Sequence, residues 1–234
     1  MHAGTYREYI NPLRGGENNL RRIVYRAASN EKVEIKGSEI IKGWQQEQNG
    51  VWKVTIPNSF FGNYNPYKDS INGDWFQNKG RIHHTGEVFL NGKSLYEKET
   101  LAKVINPVAM NEIKDTIGSL STWYCESDDE TTTIWANFQK TDPNKGLVEI
   151  TTRKTCFYPD KPGINFITIS GFTISQAATQ WAAPTAEQVG MISTHWNKGW
   201  IIENNIISDS KCNGITLGKE RSTGHNVGLQ IRIT

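Results

Sequence analysis

Apolar and polar positions alternate in short runs along most of this chain, the period of strands with one buried face rather than of helices. Residues 1–38 hold three such runs: Thr5 to Ile10, Arg22-Ile23-Val24-Tyr25-Arg26, and Lys32-Val33-Glu34-Ile35-Lys36, each bounded by turn residues. From 39 to 162 the texture changes, with alternating segments at Val51 to Ile56, Glu87 to Leu90, Thr131 to Phe138 and Leu147 to Thr152. Asn91-Gly92, between Val88-Phe89-Leu90 and Lys93-Ser94-Leu95-Tyr96, predicts a type I′ hairpin, because both turn residues tolerate positive φ. This middle part is expected to be an antiparallel, immunoglobulin-like sandwich, with one helix at about Ala109 to Ile117.

From 163 to 234 a repeat emerges. Ile167-Thr168-Ile169-Ser170-Gly171-Phe172-Thr173-Ile174-Ser175 overlays Trp200-Ile201-Ile202-Glu203-Asn204-Asn205-Ile206-Ile207-Ser208, with apolar residues recurring around a Gly or Asn bend. Two short strands with a tight bend, once per coil, predict a right-handed parallel β-helix whose coils stack at the strand spacing. Asn suits the bend, since it accepts the left-handed conformation and can hydrogen-bond along the stack. Asn213 to Gly218 is a third strand candidate for the same coil. About three repeats are needed to cover a solenoid's ends, so two clear coils lead us to expect the N-terminal part of a longer protein, cut at both ends, with residues 1–38 as its first coils and the sandwich, 39–162, inserted between early coils.

Composition agrees with an all-β chain: 25 Ile against 9 Leu, with 21 Thr and 8 each of Trp, Tyr and Phe, favour pleated surfaces. A net charge of +2, from 26 Lys and Arg against 24 Asp and Glu, gives no field that would select nucleic acid or an anionic membrane as partner. No apolar run approaches the roughly 18 residues of a membrane span. The start has no basic segment followed by an apolar one, so a cytoplasmic location is expected unless a leader precedes it on a longer parent. Cys125, Cys156 and Cys212 are too few and too scattered for a disulfide framework. No paired spacing supports a zinc site, and no cofactor is expected.

Several ordered strings resemble the N-terminal portion of the β-xylosidases of glycoside hydrolase family 120. They include Thr5-Tyr6-Arg7-Glu8, Val33 to Glu39, Pro57-Asn58-Ser59-Phe60-Phe61-Gly62, Gly73-Asp74-Trp75, Ala136-Asn137-Phe138-Gln139, Cys156-Phe157-Tyr158-Pro159, Gln176-Ala177-Ala178-Thr179 and Lys198 to Glu203. The resemblance implies a right-handed parallel β-helix interrupted by a β-sandwich. It further implies a retaining exo-glycosidase that removes xylose from xylo-oligosaccharides and a homo-oligomer of the full-length protein. Its catalytic Asp and Glu would lie on later coils, so no catalytic residue is expected in this chain.

Substrate-binding candidates are Trp75, Asp74 and Trp181. A Trp face stacks on the apolar face of a pyranose, and a carboxylate accepts two vicinal hydroxyls, which makes Gly73-Asp74-Trp75 a plausible sugar platform in a polar loop. The resemblance suggests that this loop reaches a neighbouring subunit's site. Trp181 lies on the excursion between the two coils, whereas Trp196 and Trp200 are expected to be structural. His83 and His84 are adjacent on an extended segment and point to opposite faces, so they cannot chelate together. Glu203, Asp209 and Glu220 are expected to be solvated coil carboxylates, and Asp128-Asp129-Glu130 a solvated turn. Two other readings compete with the enzyme. One is a non-catalytic carbohydrate-binding module. The other is a β-helix polysaccharide lyase, which the Asn, Ser and Ile of the coil faces disfavour.

Overall fold

The computed structural model describes residues 1–73, 75–181 and 189–218. The chain divides into two compact units. One comprises Met1–Gly37, Asn72–Phe76 and the chain from Arg153 onward; the other comprises Ser38–Ile71 and Gln77–Thr152.

The first unit is built from parallel ladders in which successive passes of chain stack on one another. One ladder joins Ile23–Arg26, Ile167–Ser170 and Ile201–Glu203. A second joins Gly4–Tyr6, Val33–Lys36, Phe172–Ala177 and Ile206–Ser210. A third joins Ile192–Ser193 to Ile215–Thr216 and is extended by parallel bridges from Ile192 to Phe157 and from Phe157 to Ile10. Alternation sets what is buried: Val33, Ile35, Ile167, Ile169, Phe157, Phe172, Ile174 and Ile192 form one apolar core. The register of the repeat is the one the pattern predicts, with Ile169 opposite Ile202 and Ile174 opposite Ile207.

Bends between strands are made by Gly171, at φ +83°, and Asn204, at φ +54°. The next residue, Asn205, bonds along the stack: its Oδ1 accepts from the Phe172 N–H at 3.0 Å and its Nδ2 donates to the Ile169 carbonyl at 2.9 Å.

The strands before Gly37 are in the same stack as the later repeat, which gives three strands in the first ladder and four in the second. One detail differs from the sequence pattern: the insertion does not lie between coils. It interrupts a single pass, after Val33–Lys36 and before Phe157. Its ends meet: the Arg153 N–H donates to the Gly37 carbonyl at 3.0 Å. Gly37 is the residue that permits this exit, since a Cβ there would lie 2.7 Å from the Gln176 carbonyl oxygen and 2.9 Å from the Ala177 Cα. Consequently the chain from Arg153 to 162 belongs with the coils rather than with the sandwich.

The second unit has two sheets. The five-stranded sheet runs Gln45–Gln48, Val51–Pro57, Thr131–Asn137, Thr122–Ser127, Tyr96–Glu97, antiparallel except for its last pair. The four-stranded sheet runs Ser38–Ile40, Val148–Thr151, Val88–Leu90, Lys93–Ser94. Their inner faces enclose Trp44, Tyr67, Val88, Trp123, Ile134, Phe138, Val148 and Ile150. The buried Tyr67 hydroxyl donates to the Glu87 carbonyl at 2.7 Å, and its ring meets Trp123 edge to face. Asn91 and Gly92 make the two-residue turn between Leu90 and Lys93, with φ of +51° and +79°.

The helix is displaced from its expected place: it spans Leu101–Ile105 and gives way before Pro107. Residues 109–117 instead form turns held by side chains. The Met110 N–H donates to Ser119 Oγ, Thr116 Oγ1 donates to the Ile113 carbonyl, and the Gly118 N–H donates to Asp115 Oδ1. Such local bonds offer the backbone an alternative to the helical ladder. Among the described residues no helix is long and apolar enough to cross a membrane.

Candidate functional site

The Trp75 segment is the tip of an excursion whose base belongs to the sandwich unit. There, the Ile71 N–H donates to the His83 carbonyl at 2.7 Å, and Ser70 pairs antiparallel with His84. His84 Nδ1 contacts Glu97 Oε1 at 2.7 Å, and the same carboxylate oxygen accepts from the His84 backbone N–H at 3.0 Å. Arg81 lies 3.7 Å from the other Glu97 oxygen and donates to the Glu97 carbonyl. The two histidines therefore have separate jobs, as their opposed orientation requires: His84 meets Glu97, while His83 faces Arg81 and the Asn78 carbonyl. No group of three or more metal-ligating side chains occurs among the described residues.

The tip, Asn72–Phe76, belongs to the coil unit. The Phe76 N–H donates to the Gly73 carbonyl at 3.2 Å, closing a four-residue turn with Trp75 in third position at φ +67°. Positive φ is a conformation ordinarily filled by Gly or Asn. A bulky side chain there costs about 1–2 kcal/mol. Little burial offsets that cost, because Trp75 is 76% exposed.

Beside the turn stands Trp181, half-buried. A Cβ on Gly73 would lie 2.9 Å from Trp181 Cδ1 and 3.4 Å from its Nε1, so the indole packs on the bare α-carbon of Gly73. Gly73 itself sits at φ +134°, a conformation open only to glycine. The neighbouring Gln180 Oε1 accepts from the Trp181 N–H at 3.0 Å and from the Asn72 N–H at 3.4 Å. This corner is tied to the next pass of chain. Buried Thr179 accepts the Cys212 and Asn213 N–H groups on its Oγ1 at 2.8 and 3.0 Å, and Asn213 Nδ2 donates to the Gln180 carbonyl at 3.1 Å.

Of the three predicted substrate residues, Trp75 and Trp181 lie on the same unit, with Trp181 against Gly73, while Asp74 lies outside the described residues. Trp200 is structural, its Nε1 donating to the Ile164 carbonyl at 2.7 Å and its ring packing edge-on against Phe157. Trp196 is half-buried at φ +63°, beside Gly218. Glu203 and Asp209 are exposed on different ladders, and Glu220 lies outside the described residues. Asp128 caps its own turn: backbone N–H groups of Thr131 and Glu130 hold its carboxyl below the usual range. Sequence reasoning missed the pairing of Gly73 with Trp181 and the part played by Gln180. The partners are more than 100 residues apart, and nothing local marks them.

Stacked parallel ladders interrupted by an inserted antiparallel sandwich define the chain as an all-β protein of two units. Residues 41–150 match the glycoside hydrolase 120 insertion domain, so the sandwich unit belongs to that domain family, and the family 120 resemblance of the sequence motifs holds. The chain is also similar to XylC, whose structure in complex with xylose is 47% identical over 96% of this chain, with a TM-score of 0.91. This chain spans 37% of the length of the XylC chain. None of the curated proteins matches.

Proposed function

We propose that this chain is the N-terminal, substrate-shaping part of a retaining, exo-acting β-xylosidase of family 120, a homo-oligomer with right-handed coils, in which the Trp75 turn stacks on the sugar. The observation that carries this reading is the 47% identity, over nearly all of this chain, to a protein solved with xylose. The strained, 76% exposed indole of Trp75 adds to it, since a pyranose presents the flat apolar face that such a ring accepts. Retaining hydrolysis needs two carboxyl groups about 5 Å apart, one as nucleophile and one as acid/base. In this reading both stand on later coils, Glu203 and Asp209 take no part, and Asp74 supplies hydroxyl recognition.

Assay of p-nitrophenyl β-xyloside tests the division of labour. The purified 234-residue chain should release no more nitrophenol than buffer does. In the full-length protein, Trp75→Ala should lower kcat/KM about 10-fold or more, roughly 1.4 kcal/mol of transition-state binding, with little change in Tm. Turnover by the isolated chain, or a full-length Trp75→Ala variant with unaltered kinetics, refutes the reading. An exposed Trp on a strained turn would equally serve a non-catalytic carbohydrate-binding module. Xylo-oligosaccharide binding by a full-length protein that hydrolyses nothing would establish that alternative.

A further inference from the structure

We infer that Trp181 is a positioning residue: its indole, packed on Gly73, seats the turn that presents Trp75. The inference rests on the proposed sugar contact of Trp75 and deepens it.

Trp75 sits at positive φ, and strained backbone persists only where its surroundings over-determine it. Trp75 makes little contact of its own. Trp181 covers the Gly73 α-carbon, and Gln180 takes the Asn72 N–H. Both stand on a corner that Thr179 and Asn213 fasten to the following pass. The contact is close: a methyl group on Gly73 would meet Trp181 Cδ1 at 2.9 Å, so the turn or the indole would have to shift. Trp181 therefore serves the substrate by holding another indole in place. This accounts for two tryptophans converging on one turn while one of them remains exposed.

Four variants of the full-length protein test this: Trp181→Ala, Trp181→Phe, Gly73→Ala and Trp75→Ala, each assayed on xylobiose, with the double variant of Trp75 and Trp181. Trp181→Ala and Gly73→Ala should lower kcat/KM about 10-fold, chiefly through KM, and Trp181→Phe should recover to within about 3-fold of the parent. In the Trp75→Ala background, removing Trp181 should change kcat/KM by less than about 2-fold, since no ring is left to position. A full additional loss in that background would show that Trp181 contacts sugar independently and would overturn the seat. So would a Trp181→Ala variant with unchanged kinetics beside an impaired Trp75→Ala variant. If Trp75→Ala is itself without effect, the sugar reading fails, and the seat is then decided by ¹⁹F spectra of 5-fluorotryptophan-labelled protein. In those spectra Gly73→Ala should shift or broaden the resonances of both Trp75 and Trp181. An unmoved Trp75 resonance overturns the seat, and the Trp181→Phe spectrum gives the same reading should Gly73→Ala not fold.

Discussion

Asn205→Ala should unfasten the coil stack at the bend that the repeat predicts. The side chain makes two bonds to the preceding pass, accepting from the Phe172 N–H at 3.0 Å and donating to the Ile169 carbonyl at 2.9 Å. Each bond is worth about 1 kcal/mol net, and leaving the partly buried Phe172 donor without a partner adds up to about 1 kcal/mol, so a loss of about 2–3 kcal/mol is expected. Asn205→Asp keeps the acceptor for Phe172 and gives up the donor to Ile169, so it should lose roughly half as much. Asn204→Gly is the control. Its φ of +54° suits either residue, and the change should stay within about 0.5 kcal/mol. Urea unfolding reads the shift: with m near 3 kcal/mol/M, the midpoint of Asn205→Ala should fall by about 0.7–1 M at constant m. Exchange of the Phe172 amide locates the loss and should accelerate in Asn205→Ala alone. A variant as stable as the parent, or a destabilised one whose Phe172 amide stays protected, would refute the view that this side chain ties coil to coil.

Arg22 is a second tie, its Nε bonding Thr168 Oγ1 and its Nη2 bonding the Ile167 carbonyl, both at 2.8 Å, and also the Gly199 carbonyl. Arg22→Lys cannot reproduce that fork, so Tm should fall by about 4–8 °C, the equivalent of roughly 2 kcal/mol; an unchanged Tm would remove Arg22 from the account. For the thiols, Ellman's reagent should modify only half-buried Cys212 in native protein, with Cys125 and Cys156 reacting after unfolding. Burial pushes the Cys156 thiol from 9.0 up to about 12, so above pH 9 the unfolded chain binds fewer protons than the folded one. Stability supplied by the protonated thiol is full below pH 9 and should decline by up to ~1.4 kcal/mol per pH unit as pH rises toward 12. Cys156→Ala should flatten that slope, and an unchanged slope would assign it elsewhere.

What was legible in the chain was what repeats or what a turn enforces. The register of Ile169 on Ile202 and of Ile174 on Ile207 follows from alternation on either side of Gly171 and Asn204, and the Asn91-Gly92 hairpin from two residues that accept positive φ. Both depend on neighbours in sequence. The register of the first coils was less legible, because Gly4–Tyr6 and Val33–Lys36 are too short to show a period, and Val33–Lys36 meets its later partner, Phe172–Ala177, only across the insertion. The helix was misplaced for a related reason: Ser119 and Asp115 satisfy backbone donors that a helical pattern would claim.

The candidate site divides along the same line. Trp75 could be singled out because an indole in a loop rich in Gly, Asn and Asp is costly to expose without a use. Its surroundings could not, because Gly73 looks like ordinary loop flexibility until Trp181 is found against its α-carbon. Composition reports which side chains a loop offers. Only the packing of distant segments reports which glycine is flexible and which is a contact surface. At this turn the distinction decides whether the exposed ring of Trp75 has a fixed place from which to meet a sugar.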